Sequence, residues 1–219
     1  MLDQLSFEIK KGERVGLIGS TGSGKSTTVD LLMGLLEPSS GQITVDGASI
    51  HSHKEPERLL AWRAAIAHVP QMIYLADRSI AENIAFGVAA AELDLERVKL
   101  AAQQAQIAEF IESSPLGYKT FVGERGIRLS GGQRQRIGIA RALYKQASVL
   151  VFDEATSALD NATEAALMEA IEGLSRELTI VMIAHRLSTV QRCDRVIELE
   201  GGSLLKQGPP QEILFPKKT

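Results

Sequence analysis

Apolar residues recur along the chain at two spacings, and each spacing predicts a different kind of element. Residues 5–9 alternate apolar and polar side chains, which predicts a half-buried strand, and residues 14–18 predict a second strand. Between Val29 and Leu36 the apolar residues return at helical spacing, which predicts an amphipathic helix with Leu36 on its buried face. Further predicted strands are 42–46, 66–69, 148–152, 178–183 and 195–199, and further predicted helices are 56–63 and 163–174.

The stretch from Ser79 to Tyr144 has a different texture. Its apolar residues keep helical spacing, between 95 and 105 and again between 137 and 144, and no clear strand interrupts them. We therefore predict a single α/β domain. Its core covers about residues 1–71 and 146–219, and a helical subdomain of about residues 72–145 is inserted into it.

Composition narrows the function classes. The 219 residues carry 24 basic and 27 acidic side chains, and a net charge of −3 argues against nucleic acid as a partner. The single cysteine, Cys193, excludes an internal disulfide, and we expect it to be a small buried or half-buried residue. No apolar run approaches the roughly 20 residues of a membrane-spanning helix.

A glycine-rich segment, GSTGSGKST, joins a predicted strand to a predicted helix and fits the P-loop pattern. Backbone N–H groups of such a loop, together with the helix N-terminus, form an anion cradle. Lys25 adds a positive charge for the β- and γ-phosphates, and Ser26 offers a hydroxyl to Mg²⁺. A simple helix-capping turn is the weaker interpretation in this context. The candidate nucleotide-binding residues are Gly19, Ser20, Thr21, Gly22, Ser23, Gly24, Lys25, Ser26 and Thr27.

Two more motifs follow in a fixed order. LSGGQ, from Leu129 to Gln133, opens a predicted helix and forms a second anion site. The apolar run from Val149 to Phe152 then predicts a central parallel strand that ends in Asp153 and Glu154. Taken alone, either motif could be a helix start or a helix cap. In combination they resemble the nucleotide-binding domain of an ATP-binding-cassette (ABC) transporter, from Leu2 to about Leu214.

This resemblance implies a fold and a set of site residues. The fold is a P-loop NTPase with a RecA-like core, a small antiparallel β subdomain and the inserted helical subdomain. Asp153 resembles the acid that anchors Mg²⁺, and Glu154 resembles the general base that activates water. Gln71 resembles the glutamine that reaches the metal or the water, and His185 resembles the histidine that contacts the γ-phosphate. The implied cofactors are ATP and Mg²⁺.

The resemblance also implies a partner chain. In the family, two domains pair head to tail, and each γ-phosphate lies between the P-loop of one chain and the LSGGQ motif of the other. The implied contacts are Ser130, Gly131, Gly132 and Gln133, with Asp160 in a loop that crosses the dimer interface. Five arginines around this motif form a basic stretch, and without interleaved aromatic residues we expect a solvated helix and dimer face. These are Arg125, Arg128, Arg134, Arg136 and Arg141.

Two segments resemble the exporter branch of the family. They are residues 123–126, just before LSGGQ, and residues 184–189, where importers commonly carry an acidic residue after the histidine. We therefore expect an ATPase domain that drives the membrane domain of an exporter or flippase from the cytoplasmic face of a membrane. An importer subunit, a soluble ABC protein of DNA repair or translation, and a non-functional remnant stay open as alternatives.

One feature of the family is missing at the start of the chain. Family members carry an adenine-stacking aromatic residue on a strand further upstream of the P-loop lysine than the sequence extends before Lys25. Phe7, on the predicted strand, is better explained by core packing. The sequence therefore resembles the C-terminal part of a longer exporter, or a truncated relative, with reduced activity when isolated.

Overall fold

Largely apolar runs form most strands of a central sheet, and all but one of these strands lie where the sequence predicts them. The computed structural model describes residues 2–52, 54–153, 161–184 and 186–215. The described strands are β1 (Arg14–Ile18), β2 (Thr44–Val45), β3 (Ala48–Ser49), β4 (Ile66–Val69), β5 (Val149–Asp153), β6 (Thr179–Ile183), β7 (Arg195–Glu200) and β8 (Ser203–Gly208). Six of them form one sheet in the order β4-β5-β6-β1-β7-β8, and β2 and β3 form a small antiparallel pair.

The middle of the sheet is parallel, because β6 pairs with both β1 and β5 and β1 also pairs with β7 in parallel. Strand β8 returns antiparallel to β7 and was not predicted from the sequence. The predicted α/β fold with a parallel sheet is confirmed. Burial on both faces explains why β1 and β6 consist mainly of apolar residues rather than alternating apolar and polar ones.

Helices complete the described chain. They are α1 (Lys25–Leu32), α2 (Glu57–Ala65), α3 (Ile80–Ile84), α4 (Leu95–Gln104), α5 (Ala108–Ser113), α6 (Gly131–Tyr144), α7 (Asn161–Glu172), α8 (Leu187–Val190) and α9 (Pro210–Leu214), with 3₁₀ turns at Ala90–Glu92, Gly117–Lys119 and Glu124–Gly126. Within the described chain, none of these helices has both the length and the apolar character that crossing a bilayer requires.

The chain divides into two compact units. The first contains Met1–His68, Ala147–Glu154 and Arg176–Thr219, and the second contains Val69–Gln146 and Ala155–Ser175. The first unit holds the sheet, and its core packs Val15, Leu17 and Val151 from the strands with Val29 and Met33 near α1. In the second unit, the described residues between 79 and 144 contribute helices and one isolated bridge.

Two sequence predictions in the first unit are wrong. Residues 5–9 alternate in burial, and Phe7 packs against the core, but the segment is not a strand. The alternating pattern reports burial on one side and cannot report whether a neighbouring strand supplies ladder hydrogen bonds. Leu36 is 46% exposed rather than buried, because α1 ends at Leu32 and Gly34 turns the backbone into the left-handed region.

Candidate nucleotide-binding site

The glycine-rich loop lies between the central strand β1 and helix α1, both in the first unit. Gly24 is the residue that caps α1, with φ of 103°, and as a glycine it has no side chain that could accept a hydrogen bond from the helix. A Cβ atom at this position would lie 2.4 Å from a methyl carbon of Leu2, so glycine is required by both conformation and space. The Gly24 cap therefore contributes no side-chain acceptor at the N-terminus of α1, an arrangement typical of glycine loops that bind anions at a helix start.

Lys25 gives this loop its charge. The residue is buried, and its ammonium group donates hydrogen bonds to the carbonyl oxygens of Gly19 (2.8 Å) and Ser20 (2.9 Å). These bonds hold the cation against the loop that it has to serve, rather than letting it extend into solvent. Ser26 and Thr27, which follow, are exposed. The first turn of α1 contains no acidic residue, so the helix itself adds no negative charge where an anion would bind.

Asp153 ends β5 at the same edge of the sheet. Strands β1 and β5 both run parallel to β6, which lies between them, and Leu17 and Asp153 are both in register with Ile183. The backbone of Asp153 therefore lies level with Leu17, near the end of β1. The two residues are separated by two strand spacings, or roughly 9–10 Å. The carboxyl edge of a parallel sheet is where ligands bind in folds of this type.

His68 is a neighbour of this edge that the sequence did not reveal. It lies on β4, the strand beside β5. Desolvation lowers the pKa of its imidazole, and the negative charges of Asp153 and Asp30 act in the opposite direction. The sequence offered no signal for this proximity, because only the strand order places β4 against β5.

The LSGGQ motif begins α6 in the second unit. Ser130 caps the helix through a capping box: its hydroxyl accepts from the backbone N–H of Gln133 (3.2 Å), and the Gln133 amide oxygen accepts from the N–H of Ser130 (2.8 Å). Leu129 is buried and anchors the motif, whereas Ser130 is exposed. Because the Ser130 oxygen already accepts from Gln133, its O–H remains able to donate a hydrogen bond to a phosphate oxygen.

A second capping box lies in the same unit. Ser79 caps α3, its hydroxyl accepts from the N–H of Glu82 (3.2 Å), and the Glu82 carboxylate accepts from the N–H of Ser79 (3.0 Å). Ser79 is buried. The S-x-x-E spacing before an apolar run is the sequence signal that predicts such a cap, and it was missed here.

Gln71 is placed in the second unit, beside the helix that LSGGQ opens. Its backbone oxygen accepts a hydrogen bond from the side-chain amide of Gln135, a buried residue of α6 (3.4 Å). Gln71 itself is exposed. Of the other predicted site residues, Glu154, Asp160 and His185 lie outside the described residues.

An exposed aromatic surface, formed by Met72, Tyr74 and Phe86, is a feature that sequence reasoning missed. Tyr74 and Phe86 meet edge to face with ring centres 6.5 Å apart, and both are at least half exposed. The guanidinium carbon of Arg141 lies 4.5 Å from the centre of the Phe86 ring. Large apolar side chains exposed together in this way are typical of a surface that meets a partner.

The prediction that Arg141 belongs to a solvated basic face is wrong. Its guanidinium donates to the carbonyl oxygens of Asn83 (2.9 Å) and Tyr74 (3.0 Å), and desolvation lowers its pKa. Spacing along the chain could not show this, because the side chain follows the packing of α6 against residues that lie far away in sequence.

The chain is similar to known proteins of one family. A family profile described as "ABC transporter" matches residues 2–157. An ATP-dependent lipid A-core flippase of Paraburkholderia xenovorans is 44% identical over 97% of the chain and 34% of the relative. The mouse protein named ATP-binding cassette sub-family B member 5 is also 44% identical, over 98% of the chain and 17% of the relative.

A solved structure described as a bacterial Atm1-family ABC exporter with ATP bound superposes with a TM-score of 0.86. It is 41% identical, over 99% of the chain and 37% of the exporter chain. The chain thus spans about a third of the length of the flippase and of this exporter.

Proposed function

Because this chain belongs to the ABC transporter family, we propose that it is the ATP-binding and ATP-hydrolysing domain that powers an exporter. The observation that carries the proposal is the common edge of β1 and β5. There the buried Lys25 and the glycine-capped start of α1 follow β1, and Asp153 ends β5 level with Leu17 of β1. The names of the relatives, a lipid A-core flippase and an Atm1-family exporter, favour export over import.

The candidate site residues of the first unit bind either the phosphates or the metal. The backbone N–H groups at the start of α1 and the Lys25 ammonium bind the β- and γ-phosphates. The Ser26 hydroxyl and the Asp153 carboxylate hold Mg²⁺, which neutralises phosphate charge when bound. The donor set fits the ion, since hydroxyl and carboxylate oxygens are ligands that Mg²⁺ prefers.

Glu154 follows Asp153 directly, and we assign to it the removal of a proton from the attacking water. Gln71 orients that water or reaches the metal, and His185 contacts the γ-phosphate. Two chains pair head to tail, so that Ser130, through its hydroxyl, and Gly132, through its N–H, meet the phosphate held by the partner's P-loop, with Asp160 at the interface. The exposed aromatic surface, Met72, Tyr74 and Phe86, is proposed to contact the membrane domain of the exporter on its cytoplasmic side.

Replacement of the base tests the hydrolytic part of the proposal. Glu154→Gln is expected to lower ATP turnover by about 10²–10⁴-fold, because the general base is lost, and to leave ATP binding unchanged. Turnover is measured by phosphate release in the full exporter, and binding by calorimetry. Asp3→Asn, an exposed carboxylate on the N-terminal segment, is the control and should keep wild-type turnover. A Glu154→Gln protein that turns over within a few-fold of wild type would rule out this base.

The dimer has its own test. Glu154→Gln with Mg·ATP is expected to shift from monomer to dimer in light scattering, because the bound nucleotide persists. Adding Ser130→Arg should abolish the shift, because the bulky cation fills the place of the partner's phosphate. A species that stays monomeric at saturating ATP, or that dimerises equally with Ser130→Arg, contradicts the head-to-tail arrangement.

A further inference from the structure

The C-terminal end of α1, opposite the phosphate loop, is closed by a specific turn. The N–H of Gly34 donates to the oxygen of Leu31 (2.9 Å), and the N–H of Leu35 donates to the oxygen of Asp30 (2.8 Å). With Gly34 in the left-handed region (φ of 66°), this is a Schellman motif. The motif satisfies the carbonyls of Asp30 and Leu31 and leaves those of Leu32 and Gly34 to accept from elsewhere.

Helix α2 supplies the donors for both carbonyls. The indole N–H of Trp62 donates to the oxygen of Leu32 (2.6 Å), and the guanidinium of Arg63 donates to the oxygen of Gly34 through Nη2 (2.5 Å) and Nε (3.2 Å). The packing is close, since a Cβ atom at Gly34 would lie 2.6 Å from a methyl carbon of Leu59. A cation at this end of α1 also complements the negative end of the helix dipole.

The other end of α2 is tied to the strand that carries Asp153. Ala65, the last residue of α2, accepts a hydrogen bond from the N–H of Ser148 (2.7 Å), the residue immediately before β5. Helix α2 also continues directly into β4, the neighbour of β5 in the sheet. Helix α2 therefore bridges the helix that begins with Lys25 and Ser26 to the strand that ends in Asp153.

We propose that Trp62 and Arg63 are positioning residues that fix α1 relative to β5, and so set the distance between the hydroxyl of Ser26 and the carboxylate of Asp153. The inference rests on the proposed function of these two groups as holders of Mg²⁺. Contacts with the phosphates come from Lys25 and the start of α1, which move together with the helix. The metal needs ligands from both elements in nearly ideal octahedral geometry, so a small displacement of α1 affects the metal first.

The test separates the metal-dependent part of ATP binding from the rest. Calorimetry on the full chain gives the dissociation constant for ATP with Mg²⁺ and with EDTA, and the ratio of the two constants is the readout. Trp62→Phe, which keeps the ring and removes the donor, and Arg63→Ala should each reduce this ratio by about three- to tenfold, the effect of one lost hydrogen bond. Arg63→Lys should restore most of it.

Arg58→Ala is the matched control, because Arg58 lies on the same helix in an exposed ion pair with Glu55 (2.6 Å) and should leave the ratio unchanged. Thermal unfolding confirms that each variant is folded at the assay temperature, and the two sites test the proposal independently if one variant does not fold. A lower melting temperature with an unchanged ratio at both sites would make the contacts purely structural and overturn the inference. A wild-type chain that does not bind ATP would instead refute the proposed function.

Discussion

The loops before α1 and α6 use the same device, a helix N-terminus, and build it in opposite ways. At α1 the cap is Gly24, which has no side chain to accept from the first N–H groups, and a buried lysine is held against the loop. At α6 the cap is Ser130, and Gln133 completes a box that satisfies the helix from within. The first cap therefore contributes no side-chain acceptor, while the second closes the start of its helix with side chains of its own motif.

The two ends also differ in charge. The loop before α1 brings its own cation, Lys25, whereas the box at α6 is built from a serine and a neutral amide, Ser130 and Gln133. The box at α3 has the same geometry with a carboxylate, Glu82, in place of the amide. A capping box that only stabilises the start of a helix tolerates a negative charge. We infer that a capping box that contacts a phosphate does not.

The largest effect is expected from removing the lysine. Lys25→Ala should weaken ATP binding to the single chain by about 10- to 150-fold, because it deletes a charge-assisted contact with the phosphates. Ser130→Ala should change the same affinity by less than about twofold, because its phosphate is supplied by a partner chain. Calorimetry at equal salt measures both. Equal losses in the two variants would show that the contrast between the loops is wrong.

Exchanging the amide and the carboxylate between the two boxes, at Gln133 and Glu82, is expected to have an intermediate effect. Gln133→Glu keeps the capping geometry, as Glu82 does at α3, but places a negative charge at the proposed phosphate contact. In the Glu154→Gln background it should weaken ATP-dependent dimerisation by about fivefold or more through charge repulsion. Glu82→Gln is the reciprocal control and should dimerise like its parent. Dimerisation of Gln133→Glu at parental strength would remove the argument from charge.

The smallest effect concerns pH. Hydrogen bonds from the side chain and backbone of Ser79 hold the pKa of Glu82 below its ordinary 4.5. A carboxylate with a lowered pKa in the folded state contributes stability that is present above pH 4.5 and is lost as the pH falls through the lowered value. The box at α6 has no titrating group and should not respond.

Urea denaturation between pH 7 and 3 checks this difference. The free energy of unfolding of the wild type should fall toward that of Glu82→Gln as the pH drops, because protonation removes the same charge that the substitution removes. Curves that stay parallel over the whole range would show that the α3 box contributes no pH dependence.

Several elements could be predicted because their causes are local. The strand, glycine loop and helix around Lys25 follow from an apolar run, residues that tolerate left-handed backbone and a helical repeat, and all three are found. Burial of Cys193 was also predicted correctly, and the surrounding core raises the pKa of its thiol to about 12. The Ser79 box was predictable from its spacing, although it was missed.

Other features depend on neighbours that spacing cannot identify. The early end of α1 at Gly34 exposes Leu36, although the apolar repeat continues through it. Arg141 is partly buried because it contacts the ring of Phe86 and donates hydrogen bonds to two carbonyl oxygens. In both cases a local pattern was overruled by a contact made after the chain folds.

From the sequence we could predict the family of this chain, its α/β class and the identity of the groups that begin α1 and end β5. Those properties follow from residue type and order, which set backbone freedom, burial and charge locally. The three-dimensional structure was needed to show that Asp153 lies level with Leu17 across β6. It was also needed to show that α2 connects the end of α1 with the start of β5. Register and strand order arise from pairing between distant segments, and a linear pattern does not record which segments pair.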